Sequence, residues 1–289
     1  MLIKEAFAMY EEEEIIAGGL SEKTLETYIN AEKLASSFFG TGVRIEDVRP
    51  FDVRAFHQHL LTWQKPDTAR GNIVCFRAVV KICSRKQMSM ATMPEDIKIP
   101  KREKRTIEYL TPAEVEEFID VVATKRRGYA EINRVRNIAI VKMLYCSGLR
   151  VGELCKLNRN TIRDRQFSVS GKSSSTRVCF ITADTEKAIE DYLKLRTDKN
   201  PALFISNENE RRITPGTIRR VFKFACERSD FDGVHPHTLR HSFATAMLDK
   251  EVDLIYISQL LGHESLETTK LYTHYTNPKL KRIYDLAMN

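Results

Sequence analysis

The sequence lacks several patterns by which functional sites are often recognised. Its six cysteines never form a CxxC pair, which argues against a cysteine zinc site or a disulfide framework and favours buried thiols in a reducing cytosol. Every apolar stretch is soon interrupted by charge, and the first residues turn acidic, so neither a membrane span nor a signal peptide is predicted. The 42% hydrophobic content instead predicts a globular protein with a substantial core.

The sequence also lacks the defining residues of two enzyme classes. The segment GKS at 171–173 is similar to the end of a phosphate-binding P-loop, but Gln166 stands where that loop needs a glycine. His237 and His241 have helical i, i+4 spacing, yet no glutamate follows His237 and no third zinc ligand lies near by spacing. The sequence therefore predicts no NTPase site, no metal and no cofactor.

Positive charge is concentrated in one region of the chain. The formal net charge is +7, with two basic and eight acidic side chains in residues 1–32 but fifteen basic and seven acidic in residues 33–105. A regional excess of this kind is typical of a surface that meets phosphates.

The most informative part of that basic region is TARGNIVCFRAVVKICSRKQM, which begins at Thr68. Helical spacing puts four of its apolar residues on one face: Ile73, Phe76, Val80 and Cys83. A stripe of basic residues, predicted to contact DNA, lies beside that face: Arg70, Arg77, Lys81 and Arg85. The alternative is a merely solvated charged face, because such stripes are common on ordinary surface helices.

The chain divides into two predicted domains. Residues 1–98 give helical signals, the segment 99–105 is a basic linker, and residues 106–289 form the second domain. The second domain opens at Thr111, a predicted N-cap with a capping-box partner at Glu114. Alternating residues in RQFSVSGKSSSTRVCFI predict a β-hairpin with Lys172 at its turn.

Two further motifs place arginines at helix starts. In HPHTLRHSFATAML, His237, Arg240 and His241 fall on one side of the first turns of a helix, where free N–H groups favour an anion. In SGLRVGELCKL, Arg150 and Glu153 are spaced as an i, i+3 pair. That pair is either a surface ion pair or a glutamate that orients an arginine toward phosphate.

The segment LGHESLETTKLYTHY, residues 261–275, contains two tyrosines. If the residues after Ser265 are helical, Tyr275 shares a face with Leu271, whereas Tyr272 points about 100° away. Periodicity therefore predicts that Tyr275 packs and that Tyr272 is freer to react.

Taken together and in this order, SGLRVGEL, the GK of the hairpin turn, HPHTLRHSFAT and LGHESLETTKLYTHY resemble the tyrosine recombinase (phage integrase) family, and most of all its Xer members. The resemblance implies a mainly α fold with a small antiparallel β-sheet in two domains. These would be a helical core-binding (SAM-like) domain and an α+β catalytic domain. It also implies cleavage and rejoining of DNA strands through a 3′-phosphotyrosyl intermediate and a Holliday junction, without metal or ATP.

The family's catalytic positions match six residues of this sequence: Arg150, Lys172, His237, Arg240, His263 and Tyr272. The resemblance makes Tyr272 the nucleophile and Lys172 the proton donor to the departing 5′ oxygen, with Arg177 as the nearby basic residue that could substitute for Lys172. Glu153 and His241 are expected to support the site.

Several alternatives accompany this hypothesis. The same chemistry occurs in type IB topoisomerases, which relax supercoils, and a DNA-binding regulator with a disabled site is a non-enzymatic alternative. The expected partners are double-stranded DNA with a specific site and other protomers in a homotetramer or heterotetramer. The expected location is the cytoplasm, at the nucleoid.

The tail residues Leu280, Ile283 and Leu286 form a short apolar edge that either docks on a neighbouring protomer or packs on its own domain.

Overall fold

The computed structural model describes residues 1–101, 108–125, 130–170, 176–206 and 210–262. The chain forms two compact units, Met1–Arg105 and Thr106–Asn289. The described residues are mainly helical, and their strands form two small antiparallel sheets. The predicted fold class, mainly α with a small antiparallel sheet and two domains, is confirmed.

The regular secondary structure of the first unit is helical in its described residues. Its α-helices are α1 (Ile3–Tyr10), α2 (Glu22–Phe39), α3 (Pro50–Leu61) and α4 (Pro66–Arg85). A π-helix, Glu11–Ile16, follows α1, and a 3₁₀ turn, Ile45–Asp47, precedes α3. Helix α2 starts at Ser21, whose hydroxyl accepts a hydrogen bond from the Thr24 N–H, and it ends at Gly40 with a φ of 98°.

Helix α4 packs with the apolar face that its spacing predicts. Ile73, Phe76, Val80 and Cys83 are all at most 1% exposed, so this face lies in the core of the first unit. The Phe76 ring contacts the rings of Phe7, Phe39 and Phe56 at centroid distances of 5.6 to 6.3 Å. Burial of these aromatic rings anchors α4 and holds its other side toward solvent.

The basic stripe of α4 is less uniform than its spacing suggests. Lys81 and Arg85 are exposed, whereas Arg70 and Arg77 are half-buried. Arg70 donates from Nε to the Pro100 carbonyl at 2.8 Å, and Arg85 forms an ion pair with Glu14 at 3.5 Å. Some of the cationic groups therefore already have partners within the first unit.

The second unit combines helices with two hairpins. Its described helices are α5 (Pro112–Ala123), α6 (Glu131–Ser147), α7 (Val151–Lys156), α8 (Ala183–Lys194), α9 (Pro215–Cys226), α10 (Pro236–Asp249) and α11 (Leu254–Leu261). Helix α5 starts at the predicted capping box, in which Thr111 and Glu114 each accept a backbone N–H of the other. Phe118, Leu144, Tyr192 and Phe222 are fully buried in the core of this unit.

The predicted hairpin is present as strands β1 (Gln166–Ser170) and β2 (Thr176–Phe180), paired antiparallel. Phe167 pairs with Cys179 and Val169 pairs with Arg177, so these four side chains share one face of the hairpin. Val178 and Phe180 therefore face solvent, at about half exposure. Alternation alone does not tell which face of β2 is buried, and here the buried face includes an arginine.

A second, shorter hairpin consists of β3 (Ile205–Ser206) and β4 (Arg211–Arg212). All six cysteines lie in the described residues as free thiols, four of them buried. In the described ranges, no helix is sufficiently long and apolar to cross a membrane.

Candidate active site

Helix α10 carries two of the predicted catalytic residues on its first turns. The helix begins after His235, whose ring Nδ1 accepts a hydrogen bond from the Thr238 N–H at 3.1 Å. His237 then lies in the first turn and is exposed, whereas Arg240 lies one turn later and is only 4% exposed. One helix therefore presents an accessible imidazole above a buried guanidinium.

The guanidinium of Arg240 is fixed by two backbone carbonyls from distant parts of the chain. Nη1 donates to the carbonyl of Gly148 and Nη2 donates to the carbonyl of Leu261, both at 2.6 Å. Gly148 ends α6 and Leu261 is the last residue of α11. Because a guanidinium is planar and rigid, these two bonds determine where its positive charge lies.

Helix α7 positions Arg150 and Glu153. Arg150 is the N-cap residue, and its backbone N–H donates to Glu153 Oε2 at 2.8 Å, while its Nη1 donates to Glu153 Oε1 at 3.0 Å. The Glu153 side chain is only 11% exposed. The Glu153 end of this ion pair is thus largely shielded from solvent, whereas Arg150 stays 40% exposed, an arrangement in which Glu153 can orient the guanidinium.

Arg177, which the sequence suggests only as a possible substitute for Lys172, is a second partner of Glu153. Its Nη1 donates to Glu153 Oε1 at 3.0 Å and its Nη2 to Oε2 at 2.7 Å. Its Nε donates to the Leu260 carbonyl at 2.9 Å. Its register opposite Val169 on the buried face of β2 is the one signal that places it inside.

Three arginines thus converge on the carbonyl end of α11, which we call the α11 terminus: the carbonyls of Leu260, Leu261 and Gly262. Arg177 bonds to the first, Arg240 to the second, and Arg150 Nη2 to the third at 3.4 Å. The last carbonyls of a helix carry partial negative charge and lack partners within the helix, so cations are favoured there. The α11 terminus brings the guanidiniums of Arg150 and Arg240, the arginine pair, close together.

The histidines of α10 have lowered pKa values. Partial enclosure of the imidazole by the protein, followed by the charges of His235, Arg240 and Arg150, lowers the pKa of His237 below its ordinary value, although the residue keeps its access to solvent. Burial, together with His237 and Arg240, lowers the pKa of His241 to about 4. Both imidazoles are therefore neutral at neutral pH, and neutral His237 can accept a proton.

The structure brings together Arg150, Glu153, His237 and Arg240, four of the residues that the sequence singles out. Three predicted catalytic residues, Lys172, His263 and Tyr272, lie outside the described residues, as does the apolar edge of the tail. Their roles stay predictions. The described chain reaches Gly262, which directly precedes His263 and whose carbonyl accepts from Arg150.

Removal of the Glu153 charge should destabilise the second unit in a pH-dependent way. Burial alone would raise the pKa of Glu153, but the bonds from Arg177 and Arg150 outweigh it and lower the pKa from 4.5 to about 2. At about 1.4 kcal/mol for each pKa unit, we expect Glu153→Gln to cost about 3 kcal/mol of unfolding free energy at neutral pH. Denaturant titrations over a range of pH measure this cost.

The sign of the pH dependence follows from the lowered pKa. The stabilisation by ionised Glu153 is complete above the unfolded-state value near 4.5 and is lost as the pH falls toward about 2. The difference between wild type and Glu153→Gln should therefore shrink in acid. Glu117→Gln, which changes an exposed carboxylate of α5, is the control and should have little effect. A Glu153→Gln cost that is the same at every pH would contradict this origin.

Comparison with known proteins identifies the relatives of this arrangement. A family model described as the phage integrase family matches residues 108–278, a range that includes the arginine pair and the α11 terminus. The chain belongs to the phage integrase family. The family predicted from the motifs is therefore confirmed.

Several curated relatives in this family are named as tyrosine recombinases. XerC of Pseudomonas savastanoi pv. phaseolicola is 41% identical over 157 residues, which are 53% of this chain and 52% of that protein. XerA of Pyrococcus furiosus is 35% identical over 198 residues, 67% of this chain and 66% of that protein. XerC of Natranaerobius thermophilus is 29% identical over 92% of both chains. The chain thus spans about half the length of the Pseudomonas relative in its alignment and nearly all of the Natranaerobius one.

Solved structures of the family share the fold. The Tn1549 transposon integrase in complex with transposon right end DNA matches with a TM-score of 0.81 at 16% identity, over 98% of this chain and 100% of that one. The XerH recombinase bound to a palindromic difH substrate matches with a TM-score of 0.72 at 20% identity, over 98% of this chain and 85% of that one. At these identities the similarity concerns the fold alone.

Proposed function

We propose that this phage integrase family member is a site-specific tyrosine recombinase that cleaves and rejoins double-stranded DNA. The observation that carries the proposal is the convergence of Arg150 and Arg240 on adjacent carbonyls of the α11 terminus, with His237 on the same helix as Arg240. Two fixed guanidiniums next to a neutral imidazole match the needs of phosphoryl transfer, in which negative charge develops on non-bridging oxygens.

In the proposed reaction, the Tyr272 hydroxyl attacks a DNA phosphodiester. The new bond joins phosphorus to the tyrosine oxygen, and the bond from phosphorus to the 5′ oxygen breaks. His237 accepts the tyrosine proton, and Lys172 gives a proton to the departing 5′ oxygen. A 5′ hydroxyl of the other duplex then attacks the 3′-phosphotyrosyl bond, which releases Tyr272 and produces a Holliday junction.

The remaining catalytic residues stabilise charge in this scheme. The arginine pair binds the non-bridging oxygens, which gather charge as the phosphodiester is displaced, and His263 donates a hydrogen bond to the phosphate. Glu153 keeps Arg150 in position, and His241 supports α10. Each exchange breaks one phosphodiester bond and forms one, so the bond energy is conserved and no metal or ATP is required.

The first unit is the proposed second contact with DNA. The basic excess of residues 33–105 and the exposed Lys81 and Arg85 on α4 support a surface that meets phosphates, together with Arg70 and Arg77. We propose residues 1–98 as the core-binding domain, 99–105 as a basic linker and 106–289 as the catalytic domain. The solved relatives named above are complexes with DNA, which supports the same partner here.

The proposed assembly is a tetramer on two synapsed DNA sites, of one protein or of two paralogues, with the tail of each protomer docked on its neighbour. We also propose a cytoplasmic location at the nucleoid, where the proposed double-stranded DNA substrate would lie. A topoisomerase would relax supercoils without recombinant product, and a regulator with a disabled site would form no covalent adduct. Curated relatives named as Xer recombinases favour recombination over both alternatives.

The test begins with a substrate found by covalent selection. The library consists of DNA duplexes with randomised arms around a short spacer, and each duplex carries a nick near the candidate scissile phosphate. The full chain is incubated with this library. Covalent protein–DNA adducts that resist detergent are recovered, and their DNA is sequenced. We expect wild type to form adducts on a small set of related sequences. Tyr272→Phe removes the nucleophile, so we expect no adduct with it.

Tyr275→Phe is the matched control, since it removes a hydroxyl from the neighbouring tyrosine. It should retain cleavage of the selected duplex. An adduct that persists on Tyr272→Phe would contradict the assignment of the nucleophile. If wild type itself yields no adduct in the selection, the proposed function is wrong.

A further inference from the structure

Within the described ranges, Arg177 connects the three elements of the candidate site other than α10, namely α7, β2 and α11. It projects from β2, bonds to Glu153 of α7 and bonds to the Leu260 carbonyl of α11. All three nitrogens of its guanidinium donate in these contacts. We propose that Arg177 is a positioning residue for strand cleavage, which holds Arg150 in place through Glu153. This inference rests on the function proposed above.

The contact between Arg177 and Glu153 fixes the carboxylate in both position and rotation. Two parallel bonds join the planar guanidinium to the planar carboxylate, one to each oxygen. The same two oxygens accept from Arg150, Oε1 from the side chain and Oε2 from the backbone. A shift of Glu153 would therefore move both the Arg150 guanidinium and the start of α7.

The second contact of Arg177 connects the hairpin to the α11 terminus. A Cβ atom on Gly262 would lie 2.8 Å from Arg177 Cδ and 3.0 Å from its Nη1, so the arginine lies directly against this glycine. Gly262 has a φ of 62°, a conformation that glycine adopts without strain. Arg177 and Arg150 thus bond to carbonyls on either side of Leu261, the acceptor of Arg240.

Burial separates the role of Arg177 from that of the arginine pair. Its side chain is 9% exposed, compared with 40% for Arg150. Arg150 can meet a phosphate from solvent, whereas Arg177 is enclosed by the groups it positions. We therefore expect Arg177 to affect cleavage through the groups that it bonds, and mainly through Glu153 and Arg150.

Arg177→Lys tests the role while keeping the charge. One ammonium cannot bond to both carboxylate oxygens and to the Leu260 carbonyl, so we expect Glu153 and Arg150 to lose their fixed positions. On the selected nicked duplex, the single-turnover rate of adduct formation should fall about 10- to 100-fold, with unchanged affinity for the intact duplex. Rates are corrected for the folded fraction of each variant, and Glu153→Gln, with the stability cost expected above, is the second variant on the same path.

Arg212→Lys is the matched control. Arg212 is also half-buried in the second unit and donates to backbone carbonyls, those of Cys155 and Leu157, but it does not contact Glu153. We expect this control to have a lower melting temperature than wild type but an unchanged rate of adduct formation. Equal losses of cleavage in the two variants, after correction for the folded fraction, would overturn the positioning role.

A double-mutant cycle shows whether the effect passes through Arg150. In an Arg150→Lys background, Arg177→Lys should slow cleavage much less than in wild type, because Arg150 is already displaced from its task. Independent, multiplicative effects would overturn the proposal. If wild type and Arg212→Lys form adducts and Arg177→Lys forms them at the wild-type rate, the positioning role alone is refuted. If wild type forms no adducts, the proposed function is refuted.

Discussion

We expect Arg240→Lys to lower the single-turnover rate of adduct formation on the selected duplex about 100- to 1,000-fold, the cost of losing one fixed donor to the transition state. The guanidinium of Arg240 reaches two carbonyls 113 residues apart in sequence, those of Gly148 and Leu261, and each bond is 2.6 Å long. A lysine has one nitrogen at the end of a flexible chain and cannot keep both bonds while it faces a phosphate.

The measurement is a time course of adduct formation with enzyme in excess, together with the affinity for the uncleaved duplex. We expect Arg240→Lys to lower the rate more than the affinity, because the fixed charge stabilises the transition state more than the bound substrate. Arg212→Lys again controls for the loss of an arginine that bonds two carbonyls. Cleavage by Arg240→Lys at the rate of that control would contradict a catalytic role for Arg240.

The largest effect on stability is expected from Gly148→Ala. Gly148 ends α6 in the left-handed region with a φ of 61°, and a Cβ atom there would lie 2.7 Å from Phe243 and 2.9 Å from Leu261. Left-handed strain of about 1–2 kcal/mol adds to about 1–3 kcal/mol for overpacking, so we expect a loss of about 2–5 kcal/mol in unfolding free energy. Denaturant titration of the full chain measures it.

Gly152→Ala is the matched control for the stability prediction. Gly152 lies inside α7, and apart from its chain neighbours and the nearby backbone of its own helix no heavy atom lies within 4 Å of the position its Cβ would take. Alanine is the better helix former by about 1 kcal/mol, so this variant should be as stable as wild type or more so. Equal destabilisation by both substitutions would show that the contacts of Gly148 with Phe243 and Leu261 are not the cause.

Local patterns predict much of the fold. The caps at Ser21 and Thr111, the buried face of α4 and the β1–β2 hairpin each depend on residues within a few positions of one another. The same holds for Arg150 and Glu153, which meet because they are one helical turn apart. The ordered family motifs also identify His237 and Arg240 as catalytic candidates, and the structure brings both residues near Arg150.

What the sequence does not predict depends on distant backbone atoms. Every residue has a carbonyl, so no residue type marks Gly148 or Leu260 as the acceptor of an arginine. The pairing of Arg177 with Glu153 likewise requires the hairpin register and the packing of α11 together. Strands β3 and β4 are two residues long, too short for a period of two to be recognisable.

The α11 terminus also has a consequence for the timing of synthesis. The bond from Arg150 to Gly262 spans 112 residues, and the bond from Arg177 to Leu260 spans 83. Contacts between distant segments form only after both segments exist. On the ribosome, Arg150, Glu153 and Arg177 are therefore synthesised before the carbonyls of Leu260 and Gly262, to which the two arginines bond. The arginines reach their final arrangement only when α11 has left the exit tunnel, so an unfinished chain lacks the assembled arginine pair.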